Sequence, residues 1–220
     1  MITNSSNFRE INVGEIAPKV LYRSSHPIWN GKQVNDTILS IKNAKIKTVI
    51  NLSDSTQSLQ GKVLCCPWYK TMLEDSNVIA LNINMKFDIM ESEFIKKIGQ
   101  GIRFMIEHDP PYLVHCEAGV DRTGFLSILL ESFMKANFDA IVKDYMLSFA
   151  YSSEHSKDYR TGEIYVFNLF SQIKGGLINP GDDPQCLSSK YLMEKVGLNN
   201  DELMCLKNKL MRERINRSPC

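Results

Sequence analysis

Apolar positions along the chain fall into short runs that change period several times. Lys45 to Leu52 (KIKTVINL) is a compact run rich in β-branched residues, the pattern of a buried strand. Val78 to Met85 (VIALNINM) alternates apolar and polar positions and predicts a second strand. Tyr112 to Cys116 (YLVHC), behind Pro110 and Pro111, predicts a third. Between the second and third, Phe94, Ile95, Ile98, Ile102, Met105 and Ile106 recur at helical spacing across 91–108. Strand, helix, strand with a connection of that length fits a right-handed parallel crossover. Phe125 to Met134 (FLSILLESFM) is apolar almost all round, as a buried helix is. A further helix is expected over 139–149. The polar stretch 152–162 reads as a loop. So does 174–189, with its paired glycines, two prolines and an Asp pair. Residues 190–213 predict two short helices with a turn at Gly197-Leu198-Asn199-Asn200, the second capped by Asn200 or Asp201. The last residues, 212–220, are expected to fray.

Composition narrows this picture without changing it. The chain has 220 residues, 43% hydrophobic and 23% charged, which suits one compact domain with a sizeable core, of α/β class by its strand–helix–strand order. The expected domain spans 1–220, with a helical C-terminal extension from about 186. The net charge of +1 excludes a global field that would draw nucleic acid or a membrane. No apolar run approaches the roughly 18 residues of a membrane span, and the polar N-terminus has no signal-peptide core. The six cysteines stand at 65, 66, 116, 186, 205 and 220, without the paired spacing of a metal knuckle. That usage predicts free thiols in a reducing, cytoplasmic setting, with signal-less secretion left open. Oligomeric state is not legible.

The chemistry concentrates in residues 115–124 (HCEAGVDRTG). A loop between a strand and a helix faces the unpaired N–H groups and positive dipole end of that helix. A tight loop adds inward amides, and together they cradle a phosphate dianion. Gly119 and Gly124 give the freedom and close packing such a bend needs. Cys116 is expected at the base of the cradle, where amides and Arg122 favour the reactive thiolate. Arg122 offers a planar fork matched to two phosphate oxygens. Thr123 places a hydroxyl near the sulfur, and His115 is expected to order the loop backbone. Each residue alone is more often structural: a buried Cys is usually core, and an Arg near a helix start is usually a surface charge. Their joint spacing is what points to phosphate.

The pattern HCxxGxxRTG resembles the signature loop of the protein tyrosine phosphatase and dual-specificity phosphatase superfamily. Other segments are similar to its bacterial and fungal branch: Asn7-Phe8-Arg9-Glu10, Leu21-Tyr22-Arg23-Ser24-Ser25, Val142 to Ser148 (VKDYMLS), and Tyr191 to Leu206. The resemblance implies a central, mostly parallel sheet flanked by helices. It implies phosphatase activity through a phosphocysteine intermediate, with no metal and no cofactor. His115, Glu117, Ala118, Gly119, Val120, Asp121 and Arg122 would bind the substrate phosphate. The branch often carries Lys where this chain has Val120, a position associated with phosphoinositide activity. With acidic Glu117 and Asp121 beside it, neutral Val120 favours phosphotyrosine in a protein or peptide. A phosphoinositide or inositol-phosphate substrate is the alternative, and a non-catalytic phospho-binding module the second.

The proton for the leaving group is expected from an aspartate. Asp88, 28 positions before Cys116 in a short loop after the second strand, is the first candidate; Asp121, inside the loop, is its rival. The bland reading makes Asp88 a helix N-terminal residue and Asp121 a loop acceptor. Asp54 lies at the ligand-binding end of its strand but more often caps the next element. Arg23 either braces the cradle or an acid, or forms a surface pair. Cys65-Cys66 would pair with an oxidised Cys116 or, by default, pack in the core. Trp68-Tyr69 would line the pocket or belong to the core. His26, His108 and His155 show no ligand spacing.

Overall fold

The computed structural model describes residues 6–84, 86–150 and 159–211. Seven strands occur among them: β1 Arg9–Ile11, β2 Leu21–Ser24, β3 Ile28–Trp29, β4 Lys32–Gln33, β5 Thr48–Asn51, β6 Val78–Ala80 and β7 Tyr112–His115. The helices are α1 Asn35–Asn43, α2 Thr56–Lys62, α3 Pro67–Glu74, α4 Ser92–Glu107, α5 Asp121–Phe133, α6 Phe138–Ala150, α7 Tyr159–Lys174, α8 Pro184–Glu194 and α9 Asn200–Met211. Five strands form one sheet in the order β1-β2-β7-β5-β6. β2, β7, β5 and β6 run parallel, and β1 pairs antiparallel with β2 at one edge. The expected α/β architecture with a mostly parallel sheet is the one found.

Alternate residues of the strands feed two cores. Leu21, Ile50, Tyr112 and Val114 face one side, with Phe94, Ile98, Ile102 and Met105 of α4 and the apolar faces of α5, α6, α8 and α9. Tyr22, Val49 and Leu113 face the other, with Ile38 and Ile41 of α1, Leu59 of α2, and Tyr69 and Met72 of α3. β5 and β7 are buried throughout, which is why KIKTVINL and YLVHC read as nearly continuous apolar runs. α5 is buried on every side, as its composition predicts.

Several boundaries differ from expectation. The second strand ends at Ala80. Asn82 turns to φ 46°, and the chain beyond runs irregularly, although Ile83 N still donates to Leu52 O at 2.8 Å. α5 starts at Asp121, four positions earlier than its apolar run, so Arg122 and Thr123 lie in its first turn. Residues 159–162 belong to α7, not to a loop; the rest of that predicted loop, 152–158, lies outside the described residues. Val166, Leu169 and Phe170 anchor α7 in the core at helical spacing. The second predicted loop closes earlier than expected. Asp183 accepts from Gln185 N at 3.0 Å and Pro184 opens α8. α9 is capped by Asn199, not Asn200 or Asp201. Asn199 Oδ1 accepts from Glu202 N at 2.9 Å, and Glu202 Oε2 accepts from Asn199 N at 2.8 Å, a reciprocal capping box. The expected frayed end, 212–220, is outside the described residues. Cys65, Cys66, Cys116 and Cys186 are free, but Cys205 is disulfide-bonded, which corrects the reading of all six as thiols. Linear spacing does not reveal which cysteines a fold brings together. No helix among the described residues is long and apolar enough to cross a membrane.

Candidate active site

The four parallel strands end together, so Ser24, His115, Asn51 and Ala80 mark one rim of the sheet. In open α/β sheets this rim is where ligands bind. The loop 116–120 leaves central β7 there and runs directly into α5. Cys116 is 2% exposed, and the Gly119 N–H donates to its Sγ at 3.3 Å. Gly119 holds φ +73°, and a Cβ on it would collide with the carbonyl oxygen of Ser24. Both constraints demand glycine. Gly124 packs against Tyr145, whose ring would sit 2.8 Å from an added Cβ. Arg122, 5% exposed, donates through Nη1 to Ile83 O at 2.9 Å. Thr123 is fully buried, and its hydroxyl has no hydrogen-bond partner among the described residues. The donor on the sulfur is therefore the Gly119 amide.

The loop is tied down from remote parts of the chain. His26 N donates to Glu117 O at 2.9 Å. The Gly119 carbonyl accepts from Asn7 Nδ2 and from Arg23 Nη2, each at 3.0 Å. Arg23 Nη1 donates to Asp144 Oδ2 at 3.0 Å, and Arg9 Nε donates to Asp144 Oδ1 at 3.1 Å. Burial alone would raise the Asp144 carboxyl. Arg23 and Arg9 outweigh burial and hold it below the usual carboxylate range. Glu131 nearby is pushed well up, by burial first and then by Asp144. Arg23 is thus a buried brace of the loop, not a surface pair.

His115 sits on a second buried network. Asn51 Nδ2 donates to Tyr69 Oη at 3.1 Å, so the Tyr69 hydroxyl is left to donate to His115 Nε2 at 2.7 Å. That places the imidazole proton on Nδ1, 3.3 Å from the carbonyl oxygen of Cys116. Burial first, and then His26, hold the His115 pKa well below its ordinary value. Behind it, Asp54 accepts from Asn51 at 2.9 Å, from His26 at 2.6 Å and from Lys62 at 2.7 Å. Burial would raise Asp54, but these bonds prevail and hold it below the carboxylate range. Ser55, not Asp54, caps α2, accepting from Ser58 N at 3.1 Å. Tyr69 lies in the core beneath the loop and not in the pocket. Cys66 shares that core, on the face of the sheet opposite Cys116. Tyr69→Phe is expected to lower stability by about 1–3 kcal/mol, since it orphans buried partners. Turnover should fall several-fold as the His115 tautomer loosens. Thermal melting and steady-state rates check both; unchanged values would mean the hydroxyl does not hold His115.

A cavity of ≈ 560 Å³ opens beside the loop. Arg122 lines it, with Phe87, Phe94, Asn82, Asn84, Lys86, Glu91 and Lys97. Phe87 stacks on Phe94 with ring centres 5.0 Å apart. Asp88 is exposed and does not line this cavity. Its Oδ1 accepts from Met90 N at 2.8 Å, in the turn that leads into α4, and its charge adds to burial in raising the Tyr191 phenol. Asp121 is half-buried at the first position of α5, next to Arg122. Tyr165 of α7 stacks on Tyr145 at 4.5 Å. Its phenol is pushed up to about 12, by burial first and then by Asp121, with Cys116 acting in the same direction. α7 therefore brings a tyrosine into the electrostatic reach of both Asp121 and Cys116. The sequence reading missed Tyr165 because the polar run before it hid the helix. Among the described residues, no group of three or more His, Cys, Asp or Glu is placed to hold a metal.

Comparison with known proteins bears on this geometry. Residues 2–171 match the profile of the tyrosine phosphatase family. No curated protein sequence matches. Two solved structures are similar at TM-score 0.45. One is the core catalytic domain of the PP-IP phosphatase SIW14 from S. cerevisiae in complex with citrate, 20% identical, with 72% of this chain and 85% of that chain covered. The other is a Siw14 catalytic core, 16% identical, with 84% and 91% covered.

Proposed function

The chain belongs to the tyrosine phosphatase family, and from that premise we propose that it hydrolyses phosphotyrosine in proteins through a phosphocysteine intermediate. The observation that carries this reading is the cavity beside the loop, which Arg122 lines together with the stacked Phe87–Phe94 pair. A phosphate held by Arg122 and the loop amides leaves an aryl group against those rings. The Cys116 thiolate attacks phosphorus, an S–P bond forms, and the ester P–O bond breaks as the leaving oxygen takes a proton. Water then gives a proton to the carboxylate left by the donor and attacks phosphorus, the S–P bond breaks to return the thiolate, and inorganic phosphate leaves. The Arg122 fork and the amides stabilise the equatorial oxygens in both steps.

Asp121 is the proton donor in this proposal, because it borders the loop while Asp88 is turned into its own turn. On an alkyl phosphate, where the leaving group needs the proton, Asp121→Asn is expected to lose about 10²- to 10⁴-fold. Asp88→Asn should change little. The reverse result would move the role to Asp88, and two unaffected variants would remove both. A second reading, an inositol-phosphate or phosphoinositide substrate, draws on Lys86 and Lys97 in the same cavity. Neutral Val120 and acidic Glu93, which pairs with Lys97 at 3.3 Å, weigh against it. Phosphate release from a phosphotyrosine peptide, a phosphoinositide and a soluble inositol phosphate separates the two. A higher kcat/KM on either inositol substrate would sink the phosphotyrosine assignment.

A further inference from the structure

The Gly119 residue faces two ways. Its N–H points at the Cys116 sulfur, while its carbonyl points away, into the pair of donors formed by Asn7 and Arg23. The C=O and N–H of one trans peptide point in opposite directions. Holding the Gly119 carbonyl outward therefore turns the Val120 N–H inward, to the side on which the loop receives its anion. Left to itself, a glycine-containing loop flips such a peptide readily, because glycine accepts both signs of φ.

We propose that Asn7 and Arg23 are positioning residues for the phosphate cradle, which lock the Gly119–Val120 peptide with its N–H aimed at the bound phosphate. Their placement is costly unless it serves something. Arg23 is 0% exposed, a buried cation that needs Asp144 as its counter-charge. Asn7 is buried at φ 48°, a conformation that asparagine tolerates better than most residues. Its segment is fixed by Ser25 N, which donates to Ser6 O at 2.7 Å. The two donors come from 112 and 96 positions away in sequence. A cationic donor on the carbonyl also polarises the peptide and strengthens its N–H as a donor to the anion.

The proposal rests on Cys116 and its loop being the phosphate site, so its readouts are chosen to need no substrate. Asn7→Asp keeps the shape of the side chain but removes the donor and sets a negative charge against the Gly119 carbonyl. Inorganic phosphate should bind about tenfold more weakly to this variant, and iodoacetamide should alkylate Cys116 at pH 6 several-fold more slowly. The melting temperature should move by only a few degrees. Asn7→Ala, which removes the donor without adding a charge, should show the same two losses at about a third of the size, and it serves if Asn7→Asp does not fold. Arg23→Lys should weaken phosphate binding in the same direction. Variants that melt earlier but bind phosphate and alkylate as the parent does would overturn the proposal and leave the two residues as structural ties. If the parent chain itself fails to bind phosphate and its Cys116 reacts no faster than a free thiol, the phosphatase reading falls, and the clamp falls with it.

Discussion

Cys116→Ser is expected to lower phosphate release by about 10⁵-fold or more, while inorganic phosphate still binds. Serine fits the same space, and the Gly119 N–H that meets the sulfur at 3.3 Å would meet its hydroxyl instead. The cradle of amides and Arg122 does not depend on sulfur. What is lost is a sulfur nucleophile, intrinsically far more reactive than a hydroxyl. A serine there needs a general base, and the nearest imidazole is not free to act as one. His115 Nε2 already accepts from Tyr69, and its other nitrogen faces the Cys116 carbonyl. Single-turnover assays with a phosphotyrosine peptide read the loss, and calorimetry with inorganic phosphate reads the retained binding. Substantial turnover by the serine variant would remove the phosphocysteine mechanism.

Arg122→Lys is expected to cost about 10²- to 10³-fold in kcat/KM, despite keeping the charge. The guanidinium stands in the first turn of α5 with Nη1 held by the Ile83 carbonyl at 2.9 Å. That bond aims the fork, and a lysine ammonium offers no second edge for the phosphate. At 5% exposure the ammonium is also poorly hydrated. The loss should appear in phosphate binding as well as in turnover, which distinguishes it from the serine variant. A lysine variant within threefold of the parent would mean that the amides alone hold the anion.

The ten residues 115–124 were legible because their chemistry is local. Strand, loop and helix start are contiguous, and each residue type has one evident use. α4 was legible for a similar reason, since its stripe of Phe94, Ile98, Ile102 and Met105 repeats at one period. The bracing of the loop was less legible. Asn7, Arg23, Tyr69 and Asp144 meet it from distant segments, and no periodicity records a contact across a hundred positions. Arg23 could be suspected only from the segment it stands in. Tyr69 looked like one of two adjacent aromatics, and only the sheet decides that its hydroxyl reaches His115. α7 was hidden because its apolar residues follow a polar stretch. The proton donor stayed ambiguous because both aspartates sit beside helix starts, where charge and capping look alike.

The ties from residues 6–9 also have a temporal meaning. Ser6, Asn7 and Arg9 have as partners Ser25, Gly119 and Asp144. On a ribosome the earliest segment emerges long before the last two partners exist. Loop closure over such distances is slow compared with helix formation. The β2–β7 pairing joins Leu21 to Tyr112 across a similar stretch of chain, so the central sheet and the anion site close over the same distance. A nascent chain therefore has neither its central strand pairings nor its phosphate loop until residues 112–124 have emerged.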